Sequence, residues 1–111
     1  MDIRIKTYLL DILQSIEEIN QFIGENRDFI VYKRDLKTKK AVERNLEIIG
    51  EAVARILKLD PNLSLENAKN IIGTRNRIIH SYDNISDEVI WSIVRRELPA
   101  LQIQIEHLLT R

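Results

Sequence analysis

The chain has 111 residues, with 17 basic and 17 acidic side chains, a formal net charge of zero and no cysteine. The missing cysteines exclude disulfides, thiolate metal sites and a thiol nucleophile, the two histidines (His80 and His107) are too few for a multi-histidine metal site, and the charge balance excludes a uniformly basic coat for nucleic acid. No apolar run approaches the roughly 20 residues that span a bilayer, and the opening MDIRIKTYLLD has no secretory apolar region, so a cytoplasmic protein without membrane contact is expected.

Three glycines and two prolines leave little punctuation, which favours long helices. Isoleucine, abundant here, prefers strands by propensity, so periodicity decides. Ile5, Leu9, Ile12, Ile16, Ile19 and Ile23 follow a 4, 3, 4, 3, 4 spacing, which predicts a helix over 3–23 with Asp2 as N-cap and Gly24 at its end. Residues 25–35 lose the period and read as a connection or short helical turn anchored by Phe29. Val42, Leu46, Ile49, Val53 and Ile56 resume it and predict a helix over 36–58, with Asp35 as cap, a Glu51–Arg55 i,i+4 pair, and Pro61 beyond its end. Gly50 lies inside this helix, where glycine costs about 1 kcal/mol relative to alanine. That cost implies another backbone close by, from the following helix or from a partner subunit.

Ser64 reads as the N-cap of a third helix running to about His80, with Ala68, Ile72, Arg75, Ile79 and Tyr82 on one stripe. Ser86 opens the next helix, with Ile85 and Ile90 at the staple positions around it. Its stripe of Ile90, Val94, Leu98, Leu101, Ile105 and Leu108 is kinked or split by Pro99. The expected fold is an all-α antiparallel bundle of four to five helices, one domain over residues 1–111.

Charge is uneven. From Lys33 to Arg44 there are six bases and two acids. This is either a solvated helix start or a phosphate-tracking patch, with Lys37, Lys39, Lys40 and Arg44 as candidate RNA contacts. The densest polar run is Arg75-Asn76-Arg77-Ile78-Ile79-His80-Ser81-Tyr82. RNA cleavage needs a cation on the phosphorus-bound oxygens and proton transfer at the 2′- and 5′-oxygens. A guanidinium supplies the first and an imidazole either of the others, so an Arg/His pair suffices without metal or cofactor. Asn76 and His80 share a helix face, whereas Arg75 and His80 are about 140° apart. Either the Arg75 side chain wraps round, or the helix ends near His80, or two copies converge across a two-fold axis.

Residues 75–82 fit the pattern R-N-x-x-x-H-x-Y and resemble the HEPN superfamily, most closely its HepT-like toxins, which neighbour a minimal nucleotidyltransferase antitoxin (MntA). Residues 41–52 (AVERNLEIIGEA), Ile72-Gly73-Thr74 before the motif, Val89-Ile90-Trp91 and Leu98-Pro99 look like the same family, so the resemblance covers most of the chain. It implies a helical bundle that forms a homodimer or higher even-numbered oligomer, with both motifs in one cleft. It also implies a metal-independent endoribonuclease toxin with no cofactor. Arg75 would contact phosphate, His80 would be the acid/base, and Asn76 would position. Tyr82 would accept AMP from the nucleotidyltransferase, inactivating the toxin by bulk and charge.

Glu43, Glu47 and Glu51 form an i,i+4,i+8 row, either a solvated face or a source of support: Glu43 or Glu47 pairing with Arg75, Asn45 lining the cleft, Arg77 nearby. Tyr8, Trp91 and His107 read as structural, and six aromatics are too few for a stacking surface along a single strand. The competing reading is a non-catalytic module that binds RNA or nucleotide, or a protein-interaction subunit of a nucleotidyltransferase complex.

Overall fold

The computed structural model describes residues 1–25, 27–80 and 85–110. Helix α1 (Ile3–Ile23) starts where the Asp2 carboxylate accepts the Arg4 backbone N–H at 2.7 Å. It stops at Gly24, whose φ of 71° suits glycine. A short helix α2 (Phe29–Arg34) follows. Helix α3 (Leu36–Leu59) is capped by Asp35, which accepts the Thr38 backbone N–H at 3.1 Å and its hydroxyl at 2.7 Å. The apolar stripes of both long helices are buried as their spacing predicts, apart from the half-buried Ile23. Each fully buried aliphatic side chain stabilises by about 1.5–3 kcal/mol relative to exposure.

Helix α4 (Ala68–His80) and helix α1 both pack on α3. The third helix therefore starts later than Ser64. The Gln104 side chain explains this. Its amide donates to the Ser64 carbonyl at 2.6 Å and accepts the Glu66 backbone N–H at 2.7 Å. Two backbone groups that a helix start would use are thus held by a side chain from 40 residues away. The chain turns through Asn67, at φ 59°, before α4 begins. The core face of α4 is also rotated: Ile71 and Thr74 are buried, while Ile79 stays 48% exposed.

Ser86 caps α5 (Asp87–Ser92) by accepting the Val89 N–H at 3.3 Å. A π turn, Ile93–Glu97, then joins α5 to α6 (Leu98–Leu109), with the Leu98 N–H bonded to the Ile93 carbonyl. Proline lacks an N–H and its ring collides with the carbonyl four residues back. The wider turn just before Pro99 accommodates both, so the expected interruption takes the form of a π turn. Helix α6 lies against α1 and buries Leu98, Leu101, Ile105 and Leu108. Among the described residues there is no strand, and no helix is long and apolar enough to cross a membrane.

Candidate active site on helix α4

The site begins with a glycine. A Cβ on Gly50 would collide with the Cβ of Arg75, and would lie 2.9 Å from its Cγ and 3.3 Å from the Ile71 carbonyl oxygen. Helix α4 therefore crosses α3 at Gly50, and the approach that the glycine implied comes from the motif helix of the same chain. This crossing lays the Arg75 side chain along α3, leaving it only 18% exposed. Its Nη1 donates to Oε2 of Glu51 at 3.0 Å. The other oxygen of Glu51 accepts Nε of Arg55 at 2.8 Å. The Tyr8 hydroxyl oxygen, and then the Glu51 carboxylate, hold the Arg55 guanidinium still more firmly protonated. One carboxylate thus bridges two guanidiniums, leaving a net positive charge beside the helix crossing.

Glu51, rather than Glu43 or Glu47, is the partner of Arg75. Glu47 accepts Arg44 Nη1 at 3.0 Å, and Glu43 lines a different groove with Lys39 and Lys40. The physical reason is register. Arg75 rests on Gly50, so the acid it meets is the residue directly after that glycine. Asn45 is buried, and its amide nitrogen has no partner among the described residues.

Asn76, Arg77 and His80 are exposed, and His80 is the last residue of α4. Asn76 and His80 stand one turn apart on a shared face, about 140° from Arg75 at the far end. Helix α4 runs unbroken from Arg75 and ends at His80, which is one of the three arrangements the sequence left open. Ser81 and Tyr82 lie outside the described residues. A groove of about 340 Å³ opens beside Glu51, bounded by Tyr8 from α1, Arg44 and Glu47 from α3, and the exposed Ile79.

The basic segment is only partly available to a ligand. Lys39 is tied to Asp87 at 3.2 Å, and Arg44 to Glu47. Lys37 and Lys40 are exposed, with no carboxylate at ion-pair distance among the described residues. Lys39 therefore anchors α5 to α3 instead of presenting a free cation. The pairing of Glu51 with Arg75 is the feature that sequence reasoning missed. The signal was present in Gly50, since the carboxylate next to a close approach is the one the approaching side chain meets.

The sequence model of the family described as "Ribonuclease HepT-like" matches residues 12–108. A protein of Thermococcus cleftensis named a probable ribonuclease HepT is 36% identical over 109 residues, covering 93% of this chain and 94% of its own. A protein of Methanocaldococcus jannaschii that carries an RNase name is 33% identical over 104 residues, covering 92% and 94%. Another RNase-named protein, from Caldanaerobacter subterraneus, is 32% identical over 107 residues, covering 96% and 95%.

Proposed function

Given that this chain belongs to the HepT-like ribonuclease family of the HEPN superfamily, we propose that it is a metal-independent endoribonuclease in which Arg75 and His80 act on the scissile phosphate. The observation that carries this reading is the clamp on Arg75. The chain places a glycine in mid-helix and a carboxylate beside it to hold one guanidinium, on the helix that ends in an exposed imidazole. A guanidinium with one edge fixed by Glu51 is preorganised, so little reorganisation is needed when phosphate charge develops.

The 2′-hydroxyl of RNA would give its proton to a base while its oxygen attacks the adjacent phosphorus. The bond from phosphorus to the 5′-oxygen would break, and that oxygen would take up a proton. The products are a 2′,3′-cyclic phosphate and a 5′-hydroxyl. Arg75 stabilises the extra negative charge of the phosphorane, and His80 performs a proton transfer. Within one chain Arg75 and His80 point apart around α4, which supports a homodimer whose two α4 helices share a cleft. Two copies would supply two imidazoles, one for each proton transfer. Asn76, on the His80 face, would position the strand.

The biological reading is a toxin restrained by an MntA-like nucleotidyltransferase that adds AMP to Tyr82. A phosphate on that phenol would compete with RNA for Arg75 or Arg77. Intact mass after incubation with ATP, magnesium and the nucleotidyltransferase tests it: wild type gains one or more adenylates and Tyr82→Phe gains none. Adenylate appearing equally on both would move the modified residue elsewhere. For catalysis, Arg75→Ala and His80→Ala should each abolish both cleavage and growth arrest. Either variant as toxic as wild type at equal expression would overturn the assignment.

A further inference from the structure

Three of the six aromatic residues form one cluster. Trp91 is packed 5.0 Å from Tyr32 and 6.0 Å from Phe29, centroid to centroid. Tyr32 is buried, and Trp91 and Phe29 are half-buried. The rest of the indole faces a pocket of about 550 Å³ lined by Phe29, Glu88, Trp91, Ser92, Arg95 and Arg96, a volume in the range of small-ligand sites. The guanidinium of Arg95 sits 5.9 Å from the indole centroid. Arg96 is exposed and has no carboxylate at ion-pair distance among the described residues. The π turn contributes here. It takes more residues per revolution than an α turn, so Arg96 falls back toward the face of Glu88 and Ser92 instead of turning away from it.

An indole packed by Tyr32 and Phe29, with the Arg95 guanidinium over its ring and with Arg96, Glu88 and Ser92 also lining the pocket, supplies the parts that hold a nucleotide. The base would replace the Arg95 guanidinium over the indole, Arg95 and Arg96 would turn their fork donors to the phosphate, and the Ser92 hydroxyl would meet a sugar or base edge. A second groove also has Glu88 in its lining, together with Lys33, Lys40, Ser86 and Ile85. We propose that the Trp91 pocket binds one nucleotide of a single-stranded RNA, with its base on the indole and its phosphate on Arg95 and Arg96, as an outlying subsite of the strand that His80 acts on. The proposal rests on the ribonuclease reading for the identity of the strand. It gives the clustered aromatics one stacking position, not a surface.

Trp91 is the only tryptophan in the chain, so it reports on its own pocket. The probe is 2′-O-methyl hexauridylate, which cannot be cleaved through its 2′-oxygen. Added to wild-type protein it should quench the indole fluorescence saturably. Arg96→Ala should weaken that affinity about tenfold and lower the slope of log affinity against log salt by about 1. With a fluorescein-labelled probe read by anisotropy, Trp91→Leu should lose about tenfold and Trp91→Phe should recover most of it, because stacking needs only an aromatic face. If Trp91→Leu does not fold, the quench and Arg96→Ala still decide. Binding without quench, or unchanged by Arg96→Ala, overturns the pocket. Uridine monophosphate binding as tightly as the hexamer overturns its assignment to a strand. Cleavage of unmodified RNA is measured alongside: cleavage without quench removes this inference alone, and quench without cleavage supports the pocket while removing the nuclease reading.

Discussion

Arg75 rests on Gly50, with its Cβ and Cγ in the space where a side chain of α3 would otherwise stand. Replacing Gly50 with alanine gains helix propensity, but the new methyl meets the root of a side chain and a backbone carbonyl, neither of which can swing aside. Overpacking of this kind costs about 1–3 kcal/mol. Gly50→Ala should therefore lower the urea midpoint and, by displacing α4, reduce nuclease activity. Gly73 supplies the internal comparison, since a Cβ there meets nothing within 4 Å. Gly73→Ala should be neutral or gain up to about 1 kcal/mol. Equal midpoints for the two variants would contradict the crossing geometry.

Glu51 should matter more for activity than for stability. Its ion pairs involve a side chain that is 46% exposed, and such pairs contribute roughly 0–1 kcal/mol. Freeing the Arg75 guanidinium from its clamp, however, can misplace it enough to cost about a hundredfold in rate. Glu51→Gln should leave the melting curve nearly unchanged while kcat falls by roughly ten- to a hundredfold. Arg55→Ala removes the other arm of the bridge, leaves Arg75 paired, and should have a smaller effect on kcat. Steady-state kinetics on a short RNA, with urea melts of the same samples, make the comparison.

Much of this frame was legible from residue spacing, because α1 and α3 each bury a stripe that runs unbroken from a capping aspartate. Local signals also placed Ser86 at the start of α5 and marked the interruption before Pro99. The start of α4 was not legible, because Gln104 in α6 holds the backbone around Ser64 and no local pattern encodes a contact across 40 residues. The partner of Arg75 was missed for a related reason. An acidic row at i, i+4 and i+8 gives three equivalent candidates until the register of the neighbouring helix is known. Lys39 read as a free base because Asp87, 48 residues away, is invisible to a local charge count.

Tyr32 carries a pH prediction. Its side chain is buried and its hydroxyl has no hydrogen-bond partner among the described residues. Burial, and then the carboxylates of Glu43 and Asp87, push its phenol well above its usual value. The folded state therefore holds this proton more tightly than the unfolded chain. The resulting stability is complete below the unfolded value near pH 10 and is lost progressively as pH rises beyond it. Tyr32→Phe should be neutral or slightly stabilising at pH 7, since it removes an unsatisfied buried hydroxyl. At pH 11 it should exceed wild type by a wider margin. Urea midpoints of both proteins at the two pH values test this, and a difference independent of pH would contradict it.

His80 is exposed at the end of its helix, so truncating it should change stability by no more than about 0.5 kcal/mol. Loss of activity in His80→Ala is then a loss of chemistry and not of fold. Arg75→Ala removes a partly buried, paired side chain and should cost more stability than His80→Ala, with an equal loss of cleavage. If His80→Ala is inactive only because it is unfolded by circular dichroism at 25 °C, the exposed placement of the imidazole is wrong.

The most direct measurement is cleavage of a defined single-stranded RNA by purified wild-type protein in excess EDTA, with His80→Ala purified identically as the control for contaminating nuclease. The reading of Arg75 and His80 as a self-sufficient pair predicts undiminished cleavage by wild type, fragments ending in 2′,3′-cyclic phosphate by mass, and no cleavage by His80→Ala. Loss of wild-type activity in EDTA that returns with a divalent cation, or fragments ending in 3′-hydroxyl, would contradict it.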